Sequence, residues 1–218
     1  MSRRFELIVF DWDGTLIDSA DAISACIQQA ARDLGHAVPE ASRARYVIGL
    51  GLLDALALVI PGLQPNQYAA LVERYRHHFF RRDAELPLFS GTREMLSELR
   101  VQGHTLAVAT GKGSAGLARA LEHSRLGEFF AVTRCADQTA PKPDPAMLHE
   151  IMAATRIDAG STLMIGDTSH DLKMAEAAGV AAIGIAHGAH PRTELERCST
   201  LALVDSTAEL VRWLRSNA

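Results

Sequence analysis

Lysine is scarce in this chain. Only Lys112, Lys142 and Lys173 occur, against nineteen arginines, so each lysine marks a particular position and not a general surface charge. Cysteine is scarce as well. Cys26, Cys135 and Cys198 lie far apart with no Cys-x-x-Cys, which argues against a disulfide scaffold and for free thiols in a reducing compartment. Charge of one sign is missing too. The formal net charge is −4 over 218 residues, and no basic stripe or basic amphipathic run points to a nucleic-acid or membrane partner. No stretch approaches the roughly 20 apolar residues of a membrane span. Arg3 and Arg4 precede an apolar run as in an export signal, but Glu6 interrupts that run and Asp11 ends it, so it reads as a strand. The expectation is a soluble cytoplasmic protein. Its 48% hydrophobic residues suffice for a substantial core.

The hydrophobic pattern supplies the fold class. Short apolar runs at 5–10, 105–109, 131–134, 162–165 and 181–185 read as strands covered on both faces. Helical patterns at 91–102, 114–123, 145–155 and 171–178 fall between them, and Gly103 and Gly179 stand where two helices should stop. This alternation predicts an α/β fold: a Rossmann-like open parallel sheet with helices on both faces. From residue 19 to about 84 the alternation fails. That segment reads as helices split by Pro39, Gly49, Gly51 and "PGLQP". Four helices exceed what one crossover needs. The expectation is a core of residues 1–17 and 86–218, with residues 18–85 as a small all-helical cap domain over the sheet's carboxyl edge.

In an open α/β sheet, ligands bind beyond the carboxyl ends of the strands. The strand-end segments here are "DWDGT" (Asp11 to Thr15), "TGKG" (Thr110 to Gly113), "PKPDP" (Pro141 to Pro145) and "GDTSHD" (Gly166 to Asp171). Two carboxylates one residue apart repel each other, and ionised carboxylates avoid apolar surroundings. A hard cation such as Mg²⁺, held by oxygens of Asp11, Asp13 and Asp167, would offset that cost. Thr110, the Gly111 N–H and Lys142 suit the oxygens of a phosphate. A carboxylate beside such a cation can attack phosphorus in line, with lysine and N–H groups stabilising the equatorial oxygens.

Taken singly, these residues have plainer readings. Thr110, Asp167 and Thr168 could each be a helix N-cap, and Asp171 a solvated acid in a first helical turn. Lys112 reads as a solvated loop lysine, or as a group that touches substrate. His187 and His190 of "HGAH" could rim the site or decorate a turn, and His77 and His78 show no metal-site spacing. In "RARYVIGLGL", Arg45 could meet an acidic group of a substrate, or Arg43 and Arg45 could be exposed helix charges.

Together, in this order, "DWDGTLIDS", Thr110 in "VATGK", Lys142 in "PKPDP" and Asp167 with Asp171 in "IGDTSHD" resemble the haloacid dehalogenase-like hydrolases, phosphoglycolate phosphatase-like branch. The resemblance spans essentially the whole chain. It implies a Mg²⁺-dependent phosphatase acting on a small phosphorylated metabolite. Asp11 would be the nucleophile and Asp13 the acid and base. The cation would sit on the Asp11 carboxylate, the Asp13 carbonyl and Asp167, with Asp171 behind them fixing a metal-bound water or Lys142. Thr110, Gly111, Lys142 and Arg45 would bind substrate. A β-phosphoglucomutase-like phosphotransferase, a pyrophosphatase or a nucleotidase shares these motifs. A dehalogenase does not need Asp13. A phospho-accepting signalling module has its acids in another order and lacks the helical insertion. The oligomeric state is not encoded in any of these motifs.

Overall fold

The computed structural model describes residues 4–218; Arg3, and residues 1–3 of the expected core segment, lie outside it. Six strands form one parallel sheet: β1 (Leu7–Phe10), β2 (Thr105–Thr110), β3 (Val132–Cys135), β4 (Thr162–Gly166), β5 (Ala181–Ile185) and β6 (Ala202–Val204). Their spatial order is β3-β2-β1-β4-β5-β6. The strand alternation is visible in the packing: Leu7 and Val9 enter the core on one face of the sheet, Ile8 and Phe10 the core on the other. Five strands fall where the apolar runs predict. β6 has only three residues, "ALV", too short for a periodicity signal.

The crossover helices are α5 (Thr92–Val101), α6 (Ser114–Ser124), α7 (Ala146–Thr155), α8 (Ser169–Ala177), α9 (Arg192–Leu195) and α10 (Thr207–Asn217). α8 begins two residues before the expected 171, because Thr168 caps it: the Thr168 hydroxyl accepts from the Asp171 N–H, and Asp171 accepts from the Thr168 N–H.

Between β1 and α5 lie α1 (Ala20–Asp33), α2 (Ala41–Tyr46), α3 (Leu52–Val59) and α4 (Tyr68–Phe79). These four build a hydrophobic core separate from the two that cover the sheet, with Ile27, Leu56 and Leu71 at its centre. Burying each such side chain contributes about 1.5–3 kcal/mol. The chain enters and leaves this insert side by side. Ile17 bridges Leu88 in antiparallel sense, the Asp18 N–H donates to Pro87 at 2.9 Å, and the Phe89 N–H to Leu16 at 3.1 Å.

Candidate active site

β1 and β4 are the neighbours at which the chain reverses direction across the sheet, since β1 leads through the insert to β2 on one side and β3 leads to β4 on the other. A crevice forms at such a switch point. Phe10 pairs with Ile165, and the Asp11 N–H still donates to the Ile165 carbonyl at 2.9 Å. Asp11 is thereby fixed one residue past the ladder, 1% exposed. Trp12 turns away into the core, edge-on to Phe130. Gly14 (φ +85°) lets the chain reverse, and its lack of a side chain has a second use: a methyl there, or at Gly188, would overlap the Asp167 carboxylate.

Lys142 is fully buried between two carboxylates, 2.7 Å from Asp11 Oδ1 and 2.6 Å from Asp171 Oδ1. Burial opposes its charge, but Asp11 and Asp171 outweigh burial and hold its pKa above the ordinary lysine value. Asp171 is therefore not a solvated first-turn acid: it is 0% exposed, and its other oxygen accepts from the Thr168 N–H at 3.0 Å and the Thr168 hydroxyl at 2.7 Å. Asp167 accepts from the Thr15 hydroxyl at 2.6 Å and the Ala189 N–H at 2.7 Å, and it caps no helix. Thr110 caps none either, because the N-cap of α6 is Gly113. Its hydroxyl accepts the Lys112 N–H at 3.1 Å.

Three carboxylates crowd around one lysine. Burial pushes the Asp11 pKa well above the ordinary range, with Asp171 and Asp167 adding to the rise and Lys142 opposing it. Burial, then Asp171, raises Asp167 to about 7 against the Ala189 and Thr15 hydrogen bonds. One carboxylate oxygen from each of Asp11, Asp167 and Asp171 lies within 4.8 Å of the others. Both Asp171 oxygens are committed to Lys142 and Thr168, whereas buried Asp11 Oδ2 has no hydrogen-bond partner. The all-oxygen donor set, the excess negative charge and this orphaned oxygen fit a hard divalent cation on the Asp11–Asp167 side.

Asp13 stands apart from that cluster. Its Oδ1 accepts from the Ser19 hydroxyl at 2.9 Å, and its Oδ2 pairs with Lys112 Nζ at 2.9 Å. Lys112 is thus no solvated loop lysine; its side chain is 10% exposed. The insert covers this pair. The Phe79 ring of α4 lies 4.5 Å from Lys112 Nζ, and Tyr75, stacked on Phe79, is close enough for Asp13 to add to the burial that raises its phenol pKa well above normal.

The end of α2 and the loop after it seal the other side. Arg45 donates to the Gly188 carbonyl at 3.0 Å and pairs with exposed Asp21, so it lies at the seam between insert and core. The Tyr46 carbonyl takes hydrogen bonds from His170 Nε2 at 3.0 Å and His190 Nε2 at 2.8 Å. Since the Ser169 N–H donates to His190 Nδ1 at 3.1 Å, the His190 proton is on Nε2. His190 is buried, and His187 stacks on Phe89 at 3.6 Å, so neither decorates a free turn. A methyl on Gly111 would overlap the Gly49 and Leu50 carbonyls, which places the insert directly on the loop after β2.

Asp11, Lys142, Asp167 and Asp171 therefore share one buried site, Thr110, also buried, ends the neighbouring strand β2, and Asp13 lies under the insert with Lys112. Tyr75, Phe79 and His170 were not legible as site residues, because "YRHHFF" reads as an ordinary amphipathic helix and His170 as a filler between two motif acids.

Residues 8–185 match the family model described as haloacid dehalogenase-like hydrolase. The chain is 38% identical over 213 residues to a Dickeya dadantii protein named probable phosphatase IndB, covering 94% of this chain and 91% of that one. It is 31% identical over 217 residues to a phosphoglycolate phosphatase of Pseudomonas syringae pv. tomato, covering 94% and 78%. The crystal structure of a hydrolase from Pseudomonas syringae superposes with a TM-score of 0.89 at 22% identity, over 97% of this chain and 98% of that one. Sequence, sheet order and the strand-end cluster agree: the chain belongs to the haloacid dehalogenase-like hydrolase family, on its phosphoglycolate phosphatase-like branch.

Proposed function

We propose that the protein is a cytoplasmic, Mg²⁺-dependent phosphatase that hydrolyses a small phosphate monoester through an aspartyl-phosphate on Asp11. One observation carries the reading: a buried carboxylate at the switch point of the sheet has an oxygen with no hydrogen-bond partner, between a lysine and a second acid. Asp11 forms the bond to phosphorus as the ester P–O bond breaks, and Asp13 gives a proton to the departing oxygen. Asp13 then takes a proton from the water that displaces Asp11, releasing inorganic phosphate. Thr110, the Gly111 N–H and Lys142 hold the phosphoryl oxygens. The Asp11 carboxylate, Asp167 and the Asp13 carbonyl would hold Mg²⁺, while Asp171 holds Lys142 in place. The cation supplies charge neutralisation and orientation of the phosphate.

In this reading residues 18–85 are a cap domain on a core of 1–17 and 86–218, and the paired linkers at Ile17 and Leu88 support that division. Three free cysteines, two of them buried, suit a reducing compartment. Among the described residues no helix is long and apolar enough to cross a membrane. Phosphoglycolate is the leading substrate, by similarity to the relatives of that name. Arg45 would meet an acidic group of the substrate by exchanging its bond to exposed Asp21. A phosphate-release panel of phosphoglycolate, sugar phosphates, nucleoside monophosphates and pyrophosphate, with Mg²⁺ and with chelator, tests the reading. Cation-dependent release from one ester roughly tenfold or more above the rest is expected. Release from none of them would overturn it.

A further inference from the structure

Lys112 lies in the strand-end segment "TGKG" but holds no role in the reading so far, and it is tied at once to the proposed acid, to the sheet edge and to the insert. Its Nζ lies 2.9 Å from Asp13 Oδ2. Its stem runs across the first turn of α6, where Gly116 leaves room: a methyl at Gly116 would stand 3.1 Å from Lys112 Cγ. Its backbone N–H is held by the Thr110 hydroxyl at 3.1 Å, next to the phosphate-binding position. Its ammonium is covered by the Phe79 ring at 4.5 Å. The opposite oxygen of Asp13 is held by Ser19, the residue that leads into α1 of the insert.

Both oxygens of Asp13 are thus held by donors that depend on where the insert sits. The pair is also nearly dry, with Lys112 10% and Asp13 9% exposed at the side chain, so the contact is little screened. An ion pair of this kind fixes a carboxylate in direction as well as in place.

We propose that Lys112 is a positioning residue for Asp13: it aims the carboxylate that moves the proton, and Phe79 seats Lys112 when the helical insert lies on the core. Lys112 acts through Asp13 and not on the phosphoryl group, which Lys142 already serves from its own two carboxylates. The proposal rests on the phosphatase reading above. It goes beyond that reading by giving the insert a part in proton transfer.

The test compares Lys112→Met, Lys112→Arg and Phe79→Ala with the wild-type chain, using p-nitrophenyl phosphate and the best ester from the panel with Mg²⁺. Lys112→Met should lower kcat roughly tenfold to a hundredfold while KM stays within about threefold, as expected when proton transfer is misaligned and binding is kept. Lys112→Arg should restore most of that loss, because a guanidinium can also pair with Asp13. Phe79→Ala should show the same kcat-weighted pattern, more weakly, and it decides the matter if Lys112→Met fails to fold. With p-nitrophenyl phosphate, whose leaving group needs little protonation, rapid-quench measurement should show the aspartyl-phosphate accumulating in Lys112→Met, since water activation by Asp13 is then the step that is slowed. A rise in KM at unchanged kcat would make Lys112 a substrate-binding group and overturn the proposal. Unchanged kinetics in Lys112→Met, or in Phe79→Ala if only that variant folds, would also overturn it. Failure of the wild-type chain to release phosphate from any ester would overturn the phosphatase reading and this proposal together.

Discussion

At the scale of single residues, the site is organised by what surrounds each carboxylate. Asp11, Asp167 and Asp171 are all buried, yet their partners differ: an orphaned oxygen on Asp11, two donors on Asp167, and a lysine with a helix cap on Asp171. Small residues keep these acids in place. A methyl at Gly188 would overlap the Asp167 carboxylate and the Gly14 carbonyl. Gly188→Ala should therefore weaken Mg²⁺ binding by roughly tenfold to a hundredfold, read by calorimetric titration. Gly160→Ala, where a methyl meets nothing within 4 Å, should leave it unchanged. Equal affinities in the two variants would show that Asp167 does not hold the ion. Asp11 and Asp167 were legible in the sequence because each closes an apolar run, and Asp13 and Asp171 stand at short fixed spacings after them. The pairing of Lys112 with Asp13 was not legible, because the two lie ninety-nine residues apart and only the folded sheet brings them together.

At the scale of elements, the insert is fastened at its linkers, at the end of α2 and along the loop after it. Asp83, 5% exposed at the side chain, receives two hydrogen bonds of 3.1 Å from Arg119 of α6. Arg119→Ala leaves that carboxylate unpaired. The cost should be about 1–2 kcal/mol in urea unfolding, at the low end for a buried charge because Arg119 is 42% exposed. A change below about 0.3 kcal/mol would mean the fork contributes nothing. His187 fastens the second linker: it stacks on Phe89, and its Nε2 donates to the Thr15 carbonyl at 3.3 Å. Burial lowers its pKa, against the Thr15 bond and the charge of Asp18. A histidine depressed in the folded state binds fewer protons than in the unfolded chain. Its contribution is therefore complete above the unfolded value of about 6.5 and is lost as pH falls through the folded value. Melting temperature should drop on acidification below about pH 6.5, and His187→Gln should flatten part of that slope. An identical slope in the variant would exclude His187 as a source. The five longer strands and the crossover helices were legible from periodicity. β6 was too short to register, and the contacts of Tyr46 with His170 and His190 join elements more than a hundred residues apart, which no local pattern encodes.

At the scale of the whole molecule, a six-stranded parallel sheet sets four loops side by side, and a helical insert with its own core rests on them. The sheet gathers the charged groups, and the insert excludes water from them. Their mutual repulsion is offset within the chain by Lys142 and, in our reading, by a cation. The fold class and the shared site were readable in advance because the motifs recur at strand ends in a fixed order. How the insert closes was not, because it depends on backbone carbonyls such as those of Tyr46, Gly49 and Leu50 meeting loops far away in sequence. The central claim is that Asp11 carries the phosphoryl group. It is tested most directly by steady-state phosphate release with Mg²⁺, wild type against Asp11→Asn, both shown to be folded. The account predicts turnover by the wild type and loss of activity by a factor of roughly 10³ or more in Asp11→Asn. Undiminished turnover in Asp11→Asn would contradict it.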